Sequence, residues 1–312
     1  MSTSTPAATP RVGHPMGLRE WGLLVLCATL WGGTYTLNKI VIPELPPLTI
    51  TAARLAMAVS LLAPLVYVYG YRVPPVGRAW QPFLIFTMFS NIAPFTLVLY
   101  GQRSTASGLA SVLVATTPLF LILLAHVYTR DEKLSSNKLI GVLTGIAGVA
   151  AVFGSEALAG WSMALEGKFA LLLASLLYAV GGVYAKRFAQ YPPLIIATMQ
   201  MTCGFLISLP LALMIEKPWL LPMPSMPALG ALAGIGYVGS ALAAITYFAI
   251  FTRAGATNAM LVTLLVPLTP ILLGTVLFGE QLLAREITGA AIIALALIII
   301  DGRLPARILR RR

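Results

Sequence analysis

One face of the first apolar segment carries two aromatic rings and an amide. Trp31, Tyr35 and Asn38 follow one another at spacings of four and three residues, which places them on the same side of an α-helix. Aromatic rings stack on the ring of a ligand, and an amide both donates and accepts hydrogen bonds. This combination predicts a surface that binds an amphipathic, uncharged or zwitterionic molecule.

Further candidates for the same pocket are uncharged polar or aromatic residues of later apolar segments, together with one lysine. They are Lys39, Asn91, Tyr100, Thr117, Tyr178, Tyr184, Tyr237, Ser240 and Tyr247. The alternative for each aromatic residue is a place in helix packing or at the lipid interface. The alternative for the two asparagines is a hydrogen bond between helices.

Two prolines and two basic residues inside apolar segments have roles that the sequence leaves open. Pro118 and Pro267 each free a backbone carbonyl and bend a helix, so they are candidate hinges or plain kinks. Arg54 is expected to bond a carbonyl, to extend to the membrane interface or to meet the carboxylate of a ligand, and a structural role is favoured. Lys39 either extends to the interface or binds such a carboxylate.

The positions of the acidic residues exclude several classes of chemistry. All ten lie at the edges of apolar segments, so the interior of the membrane is predicted to hold no carboxylate. A buried Asp or Glu is the usual proton carrier or counter-charge for a cation. Proton exchange and binding of a compact cation are therefore disfavoured. The chain also lacks HExxH, GxSxG and a convergent set of His and carboxylates, so we predict no catalytic residue, cofactor or metal site.

Helices that cross a membrane must position these residues. Of the 312 residues, 58% are hydrophobic and 10% are charged, whereas a soluble chain carries roughly a quarter charged residues. A spanning helix needs about 20 apolar residues, and the unbroken apolar runs favour helices over barrel strands. The predicted spans are residues 20–42, 48–69, 81–100, 107–128, 138–154, 167–185, 194–215, 227–251, 257–278 and 286–301.

The basic residues predict the orientation of these spans. With the N-terminus inside, fifteen Lys and Arg fall in inner segments and four in outer ones, so both termini are expected in the cytoplasm. The net charge of +11 reflects this bias and does not indicate nucleic acid. Residues 1–17 are predicted to be a disordered cytoplasmic tail, 157–166 an external connector and 303–312 a basic cytoplasmic tail.

The two halves of the chain share a pattern. Residues 118–141 and 267–289 each run from a proline through an apolar stretch to a glutamate, with a glycine nine residues later. Gly32-Gly33-Thr34-Tyr35 also matches Gly181-Gly182-Val183-Tyr184 at an offset of 149 residues, and Tyr100 matches Tyr247. Five spans per copy is an odd number, so the copies would insert in opposite directions. Such inverted repeats place their ligand site near the midplane between the copies.

The span-one sequence LWGGTYTLNK, Arg54 in span two and the repeated pattern resemble the EamA family of the drug/metabolite transporter superfamily over residues 18–302. Within that family the chain is similar to the YddG-type aromatic amino-acid exporters. The resemblance implies an all-α integral membrane protein with ten transmembrane helices in two inverted five-helix repeats, residues 18–156 and 167–302. It also implies that spans one to four and six to nine surround a central cavity. Gln200 stands near the position where the second half would repeat Arg54.

The expected function is export of aromatic amino acids and related small neutral or zwitterionic metabolites by alternating access. Facilitated diffusion is expected because no carboxylate is available to carry protons. The expected partners are the small-molecule substrate and membrane lipids, the expected location is the bacterial inner membrane, and a monomer is expected to suffice. The alternative function is a flippase for a lipid or lipid-linked sugar, which predicts a lateral opening to the bilayer.

Overall fold

The computed structural model describes residues 17–128, 135–154, 162–254, 259 and 261–301. Within these ranges the chain forms helices and no strand, which confirms the all-helical class. Residues 1–16, 157–161 and 302–312, to which parts of the predicted tails and connector belong, lie outside the described residues. Ten helical segments follow one another in the described part: α1 Leu18–Val41, α2 Pro47–Val68, α3 Arg78–Gly101, α4 Ser107–Tyr128, α5 Ser136–Phe153, α6 Met163–Phe188, α7 Pro193–Ile215, α8 226–254, α9 Val262–Phe278 and α10 Ala284–Asp301.

The described helices include seven, α2 to α8, that are long and apolar enough to cross a membrane. Helix α9 is apolar but shorter. The predicted spans lie within these segments or differ from them by a few residues. Helix α6 begins four residues before the predicted span at 167, because the side chain of Ser162 accepts a hydrogen bond from the Leu165 backbone and starts the helix there. The charged residue Glu166, which precedes the predicted span, is therefore part of the helix.

Helices α4 and α9 are interrupted at similar positions. In α4 the break falls between Ser107–Val114 and Thr117–Tyr128, and in α9 between Val262–Leu265 and Leu268–Phe278. Pro118 cannot donate to the Val114 carbonyl four residues earlier. The Thr117 hydroxyl donates to that carbonyl at 2.7 Å instead. The broken turn thus keeps its backbone acceptor satisfied.

Helices α3 and α8 share a second irregularity. Each contains a π-helical stretch, at Met88–Ile92 in α3 and at Gly234–Leu242 in α8. Such stretches are uncommon and often lie at functional positions. Because the two stretches overlap at the offset of the sequence repeat, equivalent helices of the two halves are distorted at equivalent places.

The main helix contacts fall into matching pairs. Helix α2 packs along α7 and α5 along α10. Helix α1 contacts α8 and α9, just as α6 contacts α3 and α4. These pairings are unchanged when α1 to α5 are exchanged with α6 to α10, as a structural repeat requires. The opposite insertion of the two copies stays a prediction.

The glycine that closes each copy of the sequence pattern lies between α5 and α10. A Cβ atom on Gly141 would stand 2.5 Å from Cγ1 of Ile300, and one on Gly289 would stand 2.5 Å from Cγ2 of Val152. Such distances are far below van der Waals contact, so only glycine allows the two helices to approach this closely. The repeated glycine therefore has a packing role at the contact between the two halves.

Candidate functional site

Four predicted pocket residues pack against the same hydrophobic core. They are Trp31, Tyr35, Tyr178 and Tyr247, here called the aromatic cluster, and they come from α1, α6 and α8. The rings of Trp31 and Tyr247 are 5.2 Å apart and tilted by 34°. Tyr35 is buried, and the other three are partly buried. The helical spacing of Trp31 and Tyr35 on α1 thus places both side chains at a meeting point of the two halves.

Arg54 of α2 lies beside this cluster. Its Nε and Nη2 atoms donate to the Ser240 hydroxyl at 3.2 and 2.9 Å. Its guanidinium carbon stands 3.9 Å from the centre of the Phe95 ring, which meets the Tyr178 ring edge-on at 6.2 Å. The predicted pocket residue Ser240 therefore contacts an arginine.

The π-helical stretch of α8 fixes the position of Ser240. Its hydroxyl donates to the Ile235 carbonyl, five residues earlier, at 2.9 Å, and so serves as donor there and as acceptor for Arg54. Gly236 and Gly239 bring the backbone of this stretch against α2 and α1, because a Cβ on either would collide with Met57 or Thr34. These two glycines therefore make this stretch of α8 a close-packing face.

Asn38 belongs to a buried chain of amides. Its Nδ2 donates to Oε1 of Gln102 at 2.7 Å, and Nε2 of Gln102 donates to the Tyr35 carbonyl at 2.8 Å. Oδ1 of Asn38 is buried and has no hydrogen-bond partner in the described part of the chain. The sequence does not mark Gln102 as a site residue, because it stands at the end of an apolar run, where a polar residue is ordinarily solvated.

Asn91 forms the hydrogen bond between helices that was its alternative role. Its Nδ2 donates to the Gln200 carbonyl of α7 at 3.3 Å, and Thr87 donates to the same carbonyl at 2.8 Å. The Gln200 side chain donates back to Oδ1 of Asn91 at 3.4 Å. These hydrogen bonds connect α3 to α7, and they pair Asn91 with groups of the protein itself.

Three predicted tyrosines lie outside the aromatic cluster. Tyr100 donates to Glu166 at 2.6 Å near the end of α3. Tyr184 stacks with Phe86 and belongs to a separate hydrophobic cluster. Tyr237 is 42% exposed, and its hydroxyl lies 3.4 Å from the Ser60 hydroxyl of α2. Helical periodicity did not separate these three from the rings that meet.

Lys39 and Thr117 have protein partners. Nζ of Lys39 lies 3.5 Å from Oε1 of Glu280. The Thr117 hydroxyl, besides bonding the Val114 carbonyl, lies 3.1 Å from the Ser175 hydroxyl. Lys39 is therefore already paired with a carboxylate of the protein. Thr117 stabilises the break in α4.

Three glutamates cap helices distant in sequence. Glu216 accepts from the Leu48 and Thr49 backbones at the start of α2, at 2.9 and 2.6 Å. Glu280 does the same for Ser107 of α4 at 2.8 Å. These helix starts offer unpaired N–H groups and a positive dipole end, which favour carboxylates.

The third capping glutamate is Glu44, which accepts from the Ser225 backbone and hydroxyl, both at 2.6 Å, where α8 begins. The side-chain and backbone hydrogen bonds from Ser225 lower the pKa of Glu44. Glu44, Glu216 and Glu280 are here called the carboxylate rim. Every other carboxylate of the described part lies in the first or last turn of a helix.

A buried ion pair lies where α6 and α10 begin. Nζ of Lys168 is 3.5 Å from Oε1 of Glu286, and the side chains are 4% and 9% exposed. The sequence places both residues at the membrane edge but does not predict that they meet. Within the described ranges, no three residues among His, Cys, Asp and Glu come together to hold a metal ion.

Comparisons with known proteins agree on the type of molecule. The model of the EamA-like transporter family matches residues 20–154 and 165–301. The chain is 25% identical over 283 residues to the uncharacterized inner membrane transporter YedA of Escherichia coli K12, covering 90% of each chain. It is 26% identical over 293 residues to Protein PecM of Dickeya dadantii, covering 92% of this chain and 93% of that one. A crystal structure aligns with a TM-score of 0.65 at 17% identity, covering 93% of this chain and 98% of the other, and so shares the fold.

Proposed function

We propose, from the premise that this chain belongs to the EamA-like transporter family, that it exports aromatic amino acids and related small neutral or zwitterionic molecules. The family makes it a membrane transporter. The substrate class is our inference from the residues between the two halves. We further propose that the protein spans a bacterial inner membrane with both termini in the cytoplasm, and that a monomer suffices.

The aromatic cluster is the observation that carries this proposal. Trp31, Tyr35, Tyr178 and Tyr247 offer ring faces and edges to a ligand ring, and stacked or edge-on ring pairs are worth about 0.5–1.5 kcal/mol each beyond the area they bury. The helices that carry them, α1, α6 and α8, belong to different halves of the chain. A ligand held there would be in contact with both halves, as transport between two such units requires.

Asn38 supports the zwitterionic part of the substrate class. Its buried Oδ1 atom lacks a partner in the described residues, and a buried acceptor left unpaired costs about 1–3 kcal/mol. The ammonium group of an amino acid is a donor that would remove this cost. Asn38 stands one turn from Tyr35 on the same face of α1, so the acceptor and the rings can serve one ligand.

We propose that movement occurs at the breaks in α4 and α9, with Pro118 and Pro267 as hinges. A helix whose backbone ladder is already interrupted bends at low cost, and equivalent breaks in the two halves allow one half to rock against the other. Pro118→Ala and Pro267→Ala should therefore slow turnover more than they weaken substrate binding. Equal losses of both would argue for a purely structural role.

Efflux from proteoliposomes tests the substrate class. Vesicles loaded with labelled phenylalanine or tryptophan should lose label faster with the protein than without it, and glutamate and lysine should leave at the protein-free rate. Phenylalanine efflux equal to that of empty vesicles would refute the proposal. Labelled lipid added to the same vesicles tests the flippase alternative.

The same vesicles test the energetics. Because the described carboxylates lie in loops or terminal turns, the proposal is facilitated diffusion that runs down the substrate gradient alone. Collapsing the pH difference with an ionophore should leave the initial efflux rate unchanged. An absolute requirement for a pH difference would contradict this part of the proposal.

Two tyrosines of the sequence pattern provide a matched pair of variants. Tyr35 lies in the aromatic cluster, and Tyr184 lies in the separate cluster with Phe86. Tyr35→Leu should lower phenylalanine efflux about tenfold, the equivalent of one or two lost ring contacts. Tyr184→Leu should leave it near the wild-type value. Equal effects of the two changes would mean that the aromatic cluster is not the binding site.

A further inference from the structure

Arg54 is a buried cation with little to neutralise it. The residue is 7% exposed, so the guanidinium does not extend to the membrane interface. A guanidinium has five N–H donors, and Ser240 accepts from two of its nitrogens. The Phe95 ring covers one face. In the described part of the chain, no carboxylate lies within ion-pair distance of Arg54.

The other buried basic residue of the described part has the acidic partner that Arg54 lacks. Lys168 is 3% exposed and faces Glu286, which is itself buried. Lys39, which is more exposed, also has an acid at 3.5 Å. Placing a positive charge in a membrane protein without an acid is costly, and such residues are usually part of a functional site. An anion that binds at Arg54 would therefore gain more interaction energy than one at Lys168 or Lys39, which already have an acid.

The surroundings restrict which anion fits. A guanidinium matches a carboxylate by two parallel hydrogen bonds. One positive charge among uncharged groups balances one negative charge, whereas a phosphate dianion would leave an excess. The Phe95 ring on Arg54 meets Tyr178 of the aromatic cluster, so a ligand that reaches Arg54 has ring contacts beside it.

We propose that Arg54 binds the carboxylate of the transported molecule and thereby selects aromatic carboxylates over aromatic amines and amides. The proposal rests on the proposed function, whose substrate class it narrows. The carboxylate takes the guanidinium donors that Ser240 leaves unused, and the ring of the same molecule packs against the aromatic cluster. Ser240 is then a positioning residue that holds the guanidinium in place.

The test compares phenylalanine with phenylalanine amide in efflux from proteoliposomes. The wild type should favour phenylalanine about tenfold or more, as a lost charged hydrogen-bond pair predicts. Arg54→Gln should remove this preference and bring the ratio of the two rates near one, and Arg54→Lys should retain part of it. Arg103→Gln, a change of an exposed arginine in the turn after α3, is the matched control and should keep the wild-type ratio.

A binding measurement separates the possible failures. The melting temperature of the detergent-solubilised protein should rise with added 3-phenylpropionate and not with phenethyl alcohol. Arg54→Lys should make this rise smaller, and this variant can be measured even if Arg54→Gln does not fold. An unchanged efflux ratio in folded Arg54 variants, or an unchanged melting rise, would overturn the proposal. If the wild type moved neither compound, the proposed function would fail, and the melting assay would still decide whether Arg54 binds a carboxylate.

Discussion

The carboxylate rim and the surroundings of Arg54 handle charge in opposite ways. At the rim, Glu216 and Glu280 lie on helix N-termini, and Glu280 also faces Lys39. In the core, Arg54 has a hydroxyl and a ring for partners and no acid within the described residues. The three glutamates of the carboxylate rim thus lie where free backbone N–H groups receive them.

The difference concerns which charges the protein itself satisfies. A carboxylate on a helix N-terminus is satisfied by the protein itself and gains little from a ligand. An arginine without an acid keeps donors for a molecule that arrives later. The rim therefore stabilises the fold, and in our proposal the core keeps one charge for the substrate.

The largest expected effect comes from giving the core its own acid. Ser240→Asp would place a carboxylate against Arg54 and make this region resemble the rim. We expect phenylalanine efflux to fall by about tenfold or more, because the internal carboxylate competes with that of the substrate. Ser240→Asn loses the same hydroxyl without adding charge and should lower efflux much less. Equal losses in both variants would show that the charge on Arg54 is not used.

The next effect concerns the rim. Glu280→Gln removes the charge that caps α4 and faces Lys39, so the free energy of unfolding should fall by about 1–2 kcal/mol. Glu216 caps α2 and has no basic residue within ion-pair distance in the described part of the chain, so Glu216→Gln should cost less. Thermal melting in detergent measures both. If Lys39→Met lowered the melting point as much in the Glu280→Gln background as in the wild type, the ion pair would contribute nothing.

The sequence predicts the positions of the helices better than it predicts the contacts between them. Uninterrupted apolar runs need only their length and their flanking prolines and serines to be read as helices, and spacing places Trp31 and Tyr35 on one face. The face that a helix shows is a local property. Tyr35 and Tyr184 occupy matching places in the repeat, yet they lie in different clusters, because the equivalent neighbouring helices carry different side chains.

The partners of polar residues are the part that the sequence could not supply. Gln102, which bonds Asn38, ends an apolar run and has nothing in its neighbourhood to mark it as buried. Phe95 covers Arg54 because α2 and α3 happen to face each other at that level. Such contacts depend on how closely helices approach, which glycines such as Gly236 set through the tertiary packing.

A smaller effect is expected at the break in α4. Thr117→Val keeps the size of the side chain but removes the hydroxyl that satisfies the Val114 carbonyl. The free energy of unfolding should fall by about 1 kcal/mol, the usual net value of such a hydrogen bond. Thr144→Val is the control, since the Thr144 hydroxyl bonds the Ile140 carbonyl in an unbroken helix. A larger loss from the control would mean that the break in α4 does not need this bond.

The smallest effect is a pH dependence at the rim. Two hydrogen bonds from Ser225 lower the pKa of Glu44 in the folded protein. A carboxyl with a lowered folded pKa stabilises the fold above its ordinary pKa, and the stabilisation is lost as the pH falls from that value through the folded one. Ser225→Ala should thus slightly lower the melting point at neutral pH and make it fall less on acidification. The effect is small because solvent screens this exposed pair. Parallel melting curves of variant and wild type between about pH 6 and about pH 3 would show that the bonds to Glu44 add nothing to the stability of the rim.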